Sequence, residues 1–252
     1  MYPVLFEIFG YPISTFGVMM ATGFWVGTWV TAVRMRELGL HPELASSMLI
    51  YVMIGGIVGA KLYFAVDTAI RQNTSIFPLL FSRDGITWYG GLFGAMLASV
   101  IGCRRHHISI LTFWNIGALA APLGHALGRV GCFLVGDDYG RPTDLPWGMA
   151  FPRGAPPTLE TVHPTQLYEA AWLLLVTAFL WMRRNRSPFS LGEYLALNGV
   201  GRFVIEFWRI NPKLALGLTE PQWIGLGLLV SGATGWLIFH KRRATLSDSQ
   251  AT

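Results

Sequence analysis

The stretch SILTFWNIGALAAPLGHALGRVGCFLV, residues 109–135, carries a single formal charge, Arg129, in a run of otherwise apolar, small or neutral residues. A bilayer core about 30 Å thick is crossed by about 20 predominantly apolar residues in a helix, so this run is long enough to span. Six more runs, at approximately 13–33, 46–66, 86–103, 165–182, 190–208 and 222–240, read the same way. Nothing left over is large enough for a soluble domain. The expected fold is therefore all-α: a polytopic membrane protein with seven transmembrane helices, in which residues 1–252 form one integral membrane domain. Composition agrees, since 52% of residues are hydrophobic and 13% charged, against about 25% charged in soluble domains. The N-terminus lacks the basic stretch that opens a secretory signal, so the first span is expected to be retained.

Orientation follows from Lys and Arg in short loops, which concentrate on the cytoplasmic side. The loops after spans one, three and five and the C-terminal tail hold Arg34, Arg36, Arg104, Arg105, Arg183, Arg184, Arg186, Lys241, Arg242 and Arg243. The opposite side holds Arg71, Arg83, Arg141, Arg153, Arg209 and Lys213, spread over longer segments. This bias predicts an N-terminus outside and a C-terminus in the cytoplasm. It accounts for most of the net charge of +5 and leaves no basic surface suited to nucleic acid.

Lys61, Arg129 and Arg202 remain, within the spans. A cation at a helix centre costs about 2.5 to 3.5 kcal/mol even on the mildest scale. Lys61 lies near the end of span two, where its stem can snorkel to the interface. Arg129 and Arg202 are deeper. Asn198, Arg202, Glu206 and Arg209 recur at spacings of four, four and three, which places all four on one helical face. One reading is a packed ion-pair ladder, Arg202 with Glu206 and Glu206 with Arg209, which leaves Arg129 without a partner. The other is a pair of guanidiniums facing a common cavity and gripping a phosphate through paired hydrogen bonds. Because intramembrane charge is functional by default, an anionic ligand is favoured.

Gly55 with Gly59 and Gly90 with Gly94 are four apart within apolar spans, the spacing that lets membrane helices approach closely. Neither run follows a strand or ends in the Lys-Ser/Thr pair of a phosphate-cradling loop. Cys103 and Cys132 both fall inside spans, which argues against a disulfide framework or a cysteine-based metal site. His106 and His107 beside Arg104 and Arg105 read as a solvated turn, and His125 and His163 do not by themselves make a metal site. No cofactor motif is present in this reading.

Two segments outside the spans stand out. Residues 67–85, DTAIRQNTSIFPLLFSRDG, mix apolar residues with Arg71 and Arg83 and read as an interfacial arm on the outer leaflet. Residues 136–164 form the longest outward loop, ending in HPTQLYEA, residues 163–170. Pro164 suits a first helical turn, where its missing N–H costs nothing, and His163 would then sit at the cap. The free N–H groups of such a helix point to the outer interface. Gln166, Tyr168 and Glu169 either line a polar entrance there or are simply amphipathic residues at headgroup level.

GRVGCFLVGDDYGRPTDLPWG (128–148), HPTQLYEA and GRFVIEFWR (201–209) together resemble the prolipoprotein diacylglyceryl transferase family of bacterial inner membranes. YPISTFGVMMATGF, GGIVGAKLYF, ITWYGGLFGA and EPQWIGLGLL follow in matching order, so the resemblance covers nearly the whole chain. It implies a multi-pass enzyme that moves the diacylglyceryl group of phosphatidylglycerol onto the lipobox cysteine of a prolipoprotein signal peptide, releasing glycerol phosphate. The implied partners are phosphatidylglycerol, prolipoproteins and membrane lipids, with no cofactor. Adjacent cations both lower a thiol's pKa and stabilise a departing phosphate.

The family signature G-R-x-x-N-F-x-N-x-E-x-x-G falls on Gly128 through Gly140, where Arg129, Phe133 and Gly140 match. Cys132 and Val135 replace the two Asn, and Asp137 replaces the Glu. The essential arginine of span six matches Arg202, with Glu206 and Arg209 completing the motif. Asn198 stands where a Tyr is common, Tyr89 where well-studied members have a His, and Phe16 where they have a Tyr. The resemblance thus implies Arg129, Arg202, Tyr89 and Glu206 as catalytic. For substrate binding it implies Arg129, Arg202, Asp137, Gly140, His163, Gln166, Tyr168, Glu169, Arg209 and Asn198. Tyrosine, with a reference pKa of about 10, is a poor base near neutral pH, so thiol activation is assigned to the arginines. A transporter for an anionic amphiphile would line a cavity with the same charges, though no inverted repeat or pair of broken half-helices is evident. A catalytically silent lipid- or lipoprotein-binding paralogue is the other alternative.

Overall fold

The computed structural model describes residues 2–82, 85 and 87–251. Arg83, counted among the outward cations and within the expected arm, lies outside the described residues. The chain divides into two compact units, Met1–Val30 with Asn115–Thr252, and Thr31–Trp114.

Most of the chain is helical, as expected, but it is not all-α. An antiparallel hairpin, β1 (Val4–Ile8) and β2 (Tyr11–Ser14), precedes the first helix, α1 (Thr15–Glu37). Its strands are rich in apolar and aromatic residues, and its two-residue turn puts Phe9 and Gly10 at positive φ, matching the strands' twist. After α1 come α2 (Leu44–Gln72), the short α3 (Ile76–Leu80), α4 (Trp88–Arg105) and α5 (Ile110–Val135). A second hairpin, β3 (Met149–Phe151) and β4 (Thr158–Val162), leads to α6 (Thr165–Arg183), α7 (Ser190–Ile205) and α8 (Glu220–Ala251).

Among the described residues, five helices are long and apolar enough to cross a membrane: Thr15–Glu37, Leu44–Gln72, Ile110–Val135, Thr165–Arg183 and Glu220–Arg242. Helices α4 and α7 stand where the other two spans are expected but are shorter, at 18 and 16 residues. At about 1.5 Å per residue, α7 falls short of a hydrocarbon core of about 30 Å. Its expected C-terminal turn tightens instead into a 3₁₀ turn at Glu206–Trp208.

Within Thr31–Trp114, α2 and α4 meet along the glycines that their spacing marked. A Cβ on Gly59 would run into the Gly90 carbonyl and Gly94 Cα, and one on Gly94 into the Gly55 carbonyl. The backbones are therefore in direct contact, and any side chain would force them apart. Lys61 donates to the Ser82 carbonyl at 2.7 Å and to its hydroxyl at 3.0 Å, with its ammonium 5.3 Å from the Phe64 ring centre. It thus ties α2 to the segment following α3, whose Phe77 and neighbouring Phe81 are exposed.

Within the larger unit, Val30, Leu119, Ala120, Val176 and Leu180 form a buried core flanked by Leu123, Trp172, Trp181, Tyr194 and Leu197. The Trp172 indole fills the space above Gly201 and donates to the Leu197 carbonyl at 3.0 Å, fixing α6 against α7. Helices α7 and α8 approach through Gly199 with Gly225 and Gly192 with Gly232, a second small-residue seam that went unread in the sequence.

Candidate functional site

The C-terminal part of α5 with the loop after it, the first turns of α6, and the end of α7 with the 3₁₀ turn and Arg209 after it bring together three arginines and three carboxylates. Arg129, from α5, donates through Nη1 to Asp138 Oδ2 at 2.7 Å, and its Nε lies against Glu169 Oε2 of α6. Arg202, from α7, places Nη1 2.8 Å from Glu169 Oε1 and Nη2 3.2 Å from Glu206 Oε2. Arg209 closes the cluster, with Nη2 2.8 Å from Asp138 Oδ1, Nη1 3.2 Å from Glu169 Oε1 and Nε 3.6 Å from Glu206 Oε2. The six formal charges cancel. A buried ion is tolerated only when paired and hydrogen-bonded, and Glu206 shows how this is met: its Oε1 also accepts from Asn211 Nδ2 at 2.5 Å and Thr219 Oγ1 at 3.0 Å.

This arrangement corrects the expected choice between ladder and cavity. The ladder of Arg202, Glu206 and Arg209 is present, but Arg129 is not left over: Glu169 and Asp138 join it to the same network. Spacing along one helix shows neighbours on that helix, whereas the partners of Arg129 come from the following loop and from α6. Arg209 is not on the α7 face either, because the helix ends at Ile205 and Arg209 has extended backbone beyond the 3₁₀ turn. It still reaches Glu206, since that turn folds the chain back over it.

Glu169 and Gln166 do not line an entrance, for both are buried. Glu169 is the hub that touches all three arginines, and Gln166 donates through Nε2 to the Asp137 carbonyl. Pro164, not His163, is the N-cap of α6, and helical geometry begins at Thr165. His163 lies one residue earlier, with Nδ1 3.1 Å from the Tyr168 hydroxyl, which also accepts from Trp147 Nε1 at 2.8 Å. With Trp208 these side chains make an aromatic patch in which burial holds the His163 imidazole below its ordinary pKa.

The expected outward loop at 136–164 is largely folded. Gly140 N–H donates to the His163 carbonyl at 2.8 Å, and Arg141 N–H to the Trp208 carbonyl at 2.8 Å. Phe151, fully buried, stacks on Tyr139 and meets Phe133 edge-on. A Cβ on Gly140 would strike the Trp208 carbonyl, the Thr165 methyl and His163, so no side chain fits there. Gly140 thereby lets the loop, α6 and the segment bearing Arg209 close together.

Asp137 is near the cluster but outside its ion pairs. Its carboxyl shares a hydrogen bond with the Cys132 thiol, and burial raises its pKa above the ordinary carboxylate value. Asp138, missed in the sequence because the family signature leaves its position open, is the acid that bridges arginines. Burial acts to raise its pKa, but Arg209 and Arg129 outweigh that and hold it below the usual range. Donor atoms of Cys132, Asp137 and Asp138 lie within 4.8 Å of one another, a possible cation set, though both Asp138 oxygens are engaged by arginine. Asn198 is half-buried one turn before Arg202 and is not among the cluster's partners. Tyr89 belongs to the other compact unit, in the first turn of α4, with its ring edge-on to Trp88.

Comparison with known proteins supplies the family. The model described as prolipoprotein diacylglyceryl transferase matches residues 3–238. A phosphatidylglycerol–prolipoprotein diacylglyceryl transferase of Clostridium tetani is 34% identical over 92% of this chain and 95% of its own. One from Gloeobacter violaceus is 32% identical over 96% of this chain and 94% of its own.

Proposed function

The chain belongs to the prolipoprotein diacylglyceryl transferase family, and on that premise we propose that it transfers the diacylglyceryl group of phosphatidylglycerol to the lipobox cysteine of prolipoprotein signal peptides. The observation that carries the reading is the convergence of Arg129, Arg202 and Arg209 around Glu169. Catalysis by such a group is electrostatic: fixed positive charge aimed where negative charge develops. The cysteine sulfur attacks the glyceryl carbon that bears the phosphate ester. A C–S bond forms, the C–O bond breaks with its electron pair passing to phosphate, and the thiol proton ends on the departing glycerol phosphate.

In this reading Arg129 and Arg202 grip the phosphate and favour the thiolate, with Arg209 alongside. Glu169 and Glu206 hold the guanidiniums in register. Asp137, Gly140, His163, Gln166, Tyr168 and Asn198 shape the binding site, and Tyr89 donates a hydrogen bond to the phosphate or glycerol oxygen, a role that rests on the family resemblance alone. The 67–85 arm, whose residues through Gln72 continue α2, guides substrates at the outer leaflet. The protein crosses the bacterial inner membrane seven times as one integral domain, α7 crossing together with the 3₁₀ turn that continues it, with the N-terminus outside and the C-terminus in the cytoplasm.

The test combines purified protein, phosphatidylglycerol labelled in its diacylglyceryl part and a lipobox peptide. Label on the peptide is the expected result. Label crossing a vesicle without transfer would indicate a transporter, and retained lipid binding alone a silent paralogue. A C-terminal fluorescent fusion should fold in the cytoplasm, and alkaline phosphatase fused within residues 141–160 should be active; the reverse would put the site on the wrong face.

A further inference from the structure

Asp138 takes no part in the reaction proposed above, yet it occupies the arginines. Its two carboxylate oxygens bind different guanidiniums, Arg129 at 2.7 Å and Arg209 at 2.8 Å, as two oxygens of one phosphate would. It differs from the other two acids in exposure. The Glu169 and Glu206 side chains are 6% and 0% exposed, whereas that of Asp138 is 45% exposed. Withdrawing Asp138 into water therefore carries little desolvation change, while withdrawing either glutamate would strand buried cations.

The backbone around Asp138 is pinned independently of its carboxylate. The Asp138 carbonyl accepts from Thr165 Oγ1 at 2.8 Å and Arg209 Nη1 at 3.3 Å, and the preceding carbonyl accepts from Gln166. Its φ of 61° is in the left-handed region, which Asp and Asn tolerate better than most residues. Rotation about χ1 alone is enough to move the carboxylate off the arginines. Charge balance points the same way. Three arginines and three carboxylates are neutral, and a phosphodiester monoanion arriving as Asp138 leaves preserves neutrality, whereas one arriving beside it would not.

We propose that Asp138 is an exchangeable internal anion. It occupies Arg129 and Arg209 when no phosphate is bound, rotates out when a phosphate headgroup enters to take Arg129 together with Arg202 and draw in the freed Arg209, and returns to expel the glycerol phosphate product. This rests on the phosphate-binding part of the preceding reading and adds to it the residue that sets headgroup affinity and product release.

The test measures binding of glycerol phosphate and of inorganic phosphate to the full chain in detergent, beside the lipobox-peptide assay. Asp138→Asn keeps shape and backbone, and Asp138→Gly removes the side chain while accepting the positive φ. Glu160→Gln removes the same charge from an exposed site in β4 and controls for net charge. Because a hydrogen bond to a charged group is strong, both Asp138 variants should bind glycerol phosphate about 10-fold tighter or more. They should also be inhibited by it at correspondingly lower concentration, with Glu160→Gln close to the parent. Equal affinity in the parent and both Asp138 variants would overturn the exchange, as would an equal gain in Glu160→Gln. No binding of either probe by any variant would overturn both the exchange and the phosphate site. Tighter binding in the Asp138 variants together with a parent that transfers no label would uphold the exchange and refute the transferase.

Discussion

Where α2 meets α4, the Gly59 and Gly94 backbones touch the partner helix without any side chain between them. Where α5, α6 and α7 converge, three arginines and three carboxylates fill the space. The glycine seam gains stability from close contact and sets no chemistry. The charged cluster bears the cost of burying ions and repays it through mutual pairing. The two regions therefore respond differently to substitution: the seam to added volume, the cluster to lost charge.

The largest effect is expected at Glu169. Removing one partner of a buried pair costs about 3 to 5 kcal/mol, and Glu169→Ala strands charge on all three arginines. Thermal unfolding in detergent should show a large drop in Tm, and an unchanged Tm would reduce the hub to a surface-like ion pair. Next come the arginines. Arg129→Ala and Arg202→Ala should each lower transfer by about 100- to 1000-fold, the loss typical of removing one preorganised transition-state donor. Arg202→Lys should cost somewhat less than Arg202→Ala, because the positive charge is kept, yet still impair transfer, because a lysine cannot contact Glu169 and Glu206 with two separate nitrogens in a fixed plane. If Tyr89 donates to the phosphate or glycerol oxygen as proposed, Tyr89→Phe removes one hydrogen bond to a charged group and should cost about 10- to 150-fold, less than Arg202→Lys. The lipobox-peptide assay at matched folded protein checks the ranking; a dead phenylalanine variant beside a normal lysine variant would make Tyr89 the chemical centre.

The seam should respond more modestly. Gly59→Ala puts a methyl into the Gly90 carbonyl, and overpacking of this kind costs about 1 to 3 kcal/mol. Its Tm should fall while Gly117→Ala, whose Cβ meets nothing within 4 Å, holds steady. The smallest effect concerns acid. Asp138 has a pKa held below its unfolded value, about 3.9, so its contribution is present above that pH and is lost as pH falls through the folded pKa. Tm measured from pH 6 down to 3 should therefore decline less in Asp138→Asn than in the parent across the lower part of that range.

The contrast also explains what could be read in advance. Gly55 with Gly59 and Gly90 with Gly94 identify the α2–α4 seam because a repeat of four is a local property of a helix, visible without knowing the partner. Arg202 and Glu206 were legible as a pair for the same reason. Glu169 was legible as a polar residue near a helix start and, through the family resemblance, as a substrate-binding one, but not as the hub of three arginines, and Asp138 was not read at all, because their partners lie across a loop or on another helix. The hairpins and the 3₁₀ turn at Glu206–Trp208 were likewise hidden, being short and stabilised by contacts from elsewhere in the unit.

The sequence by itself determined that this chain is dominated by apolar helices, which residues share a helical face, and to which family it belongs. The first two follow from composition and periodicity, the third from the order of motifs shared with the family. Only the tertiary structure decided that Arg129 is paired, that Glu169 joins three arginines, and that Asp138 bridges Arg129 and Arg209. The physical reason is that periodicity specifies which way a side chain points from its own helix, while an ion pair needs the position of a second backbone, and that is fixed by packing at Gly140, Trp172 and Gly201 rather than by the charged residues themselves.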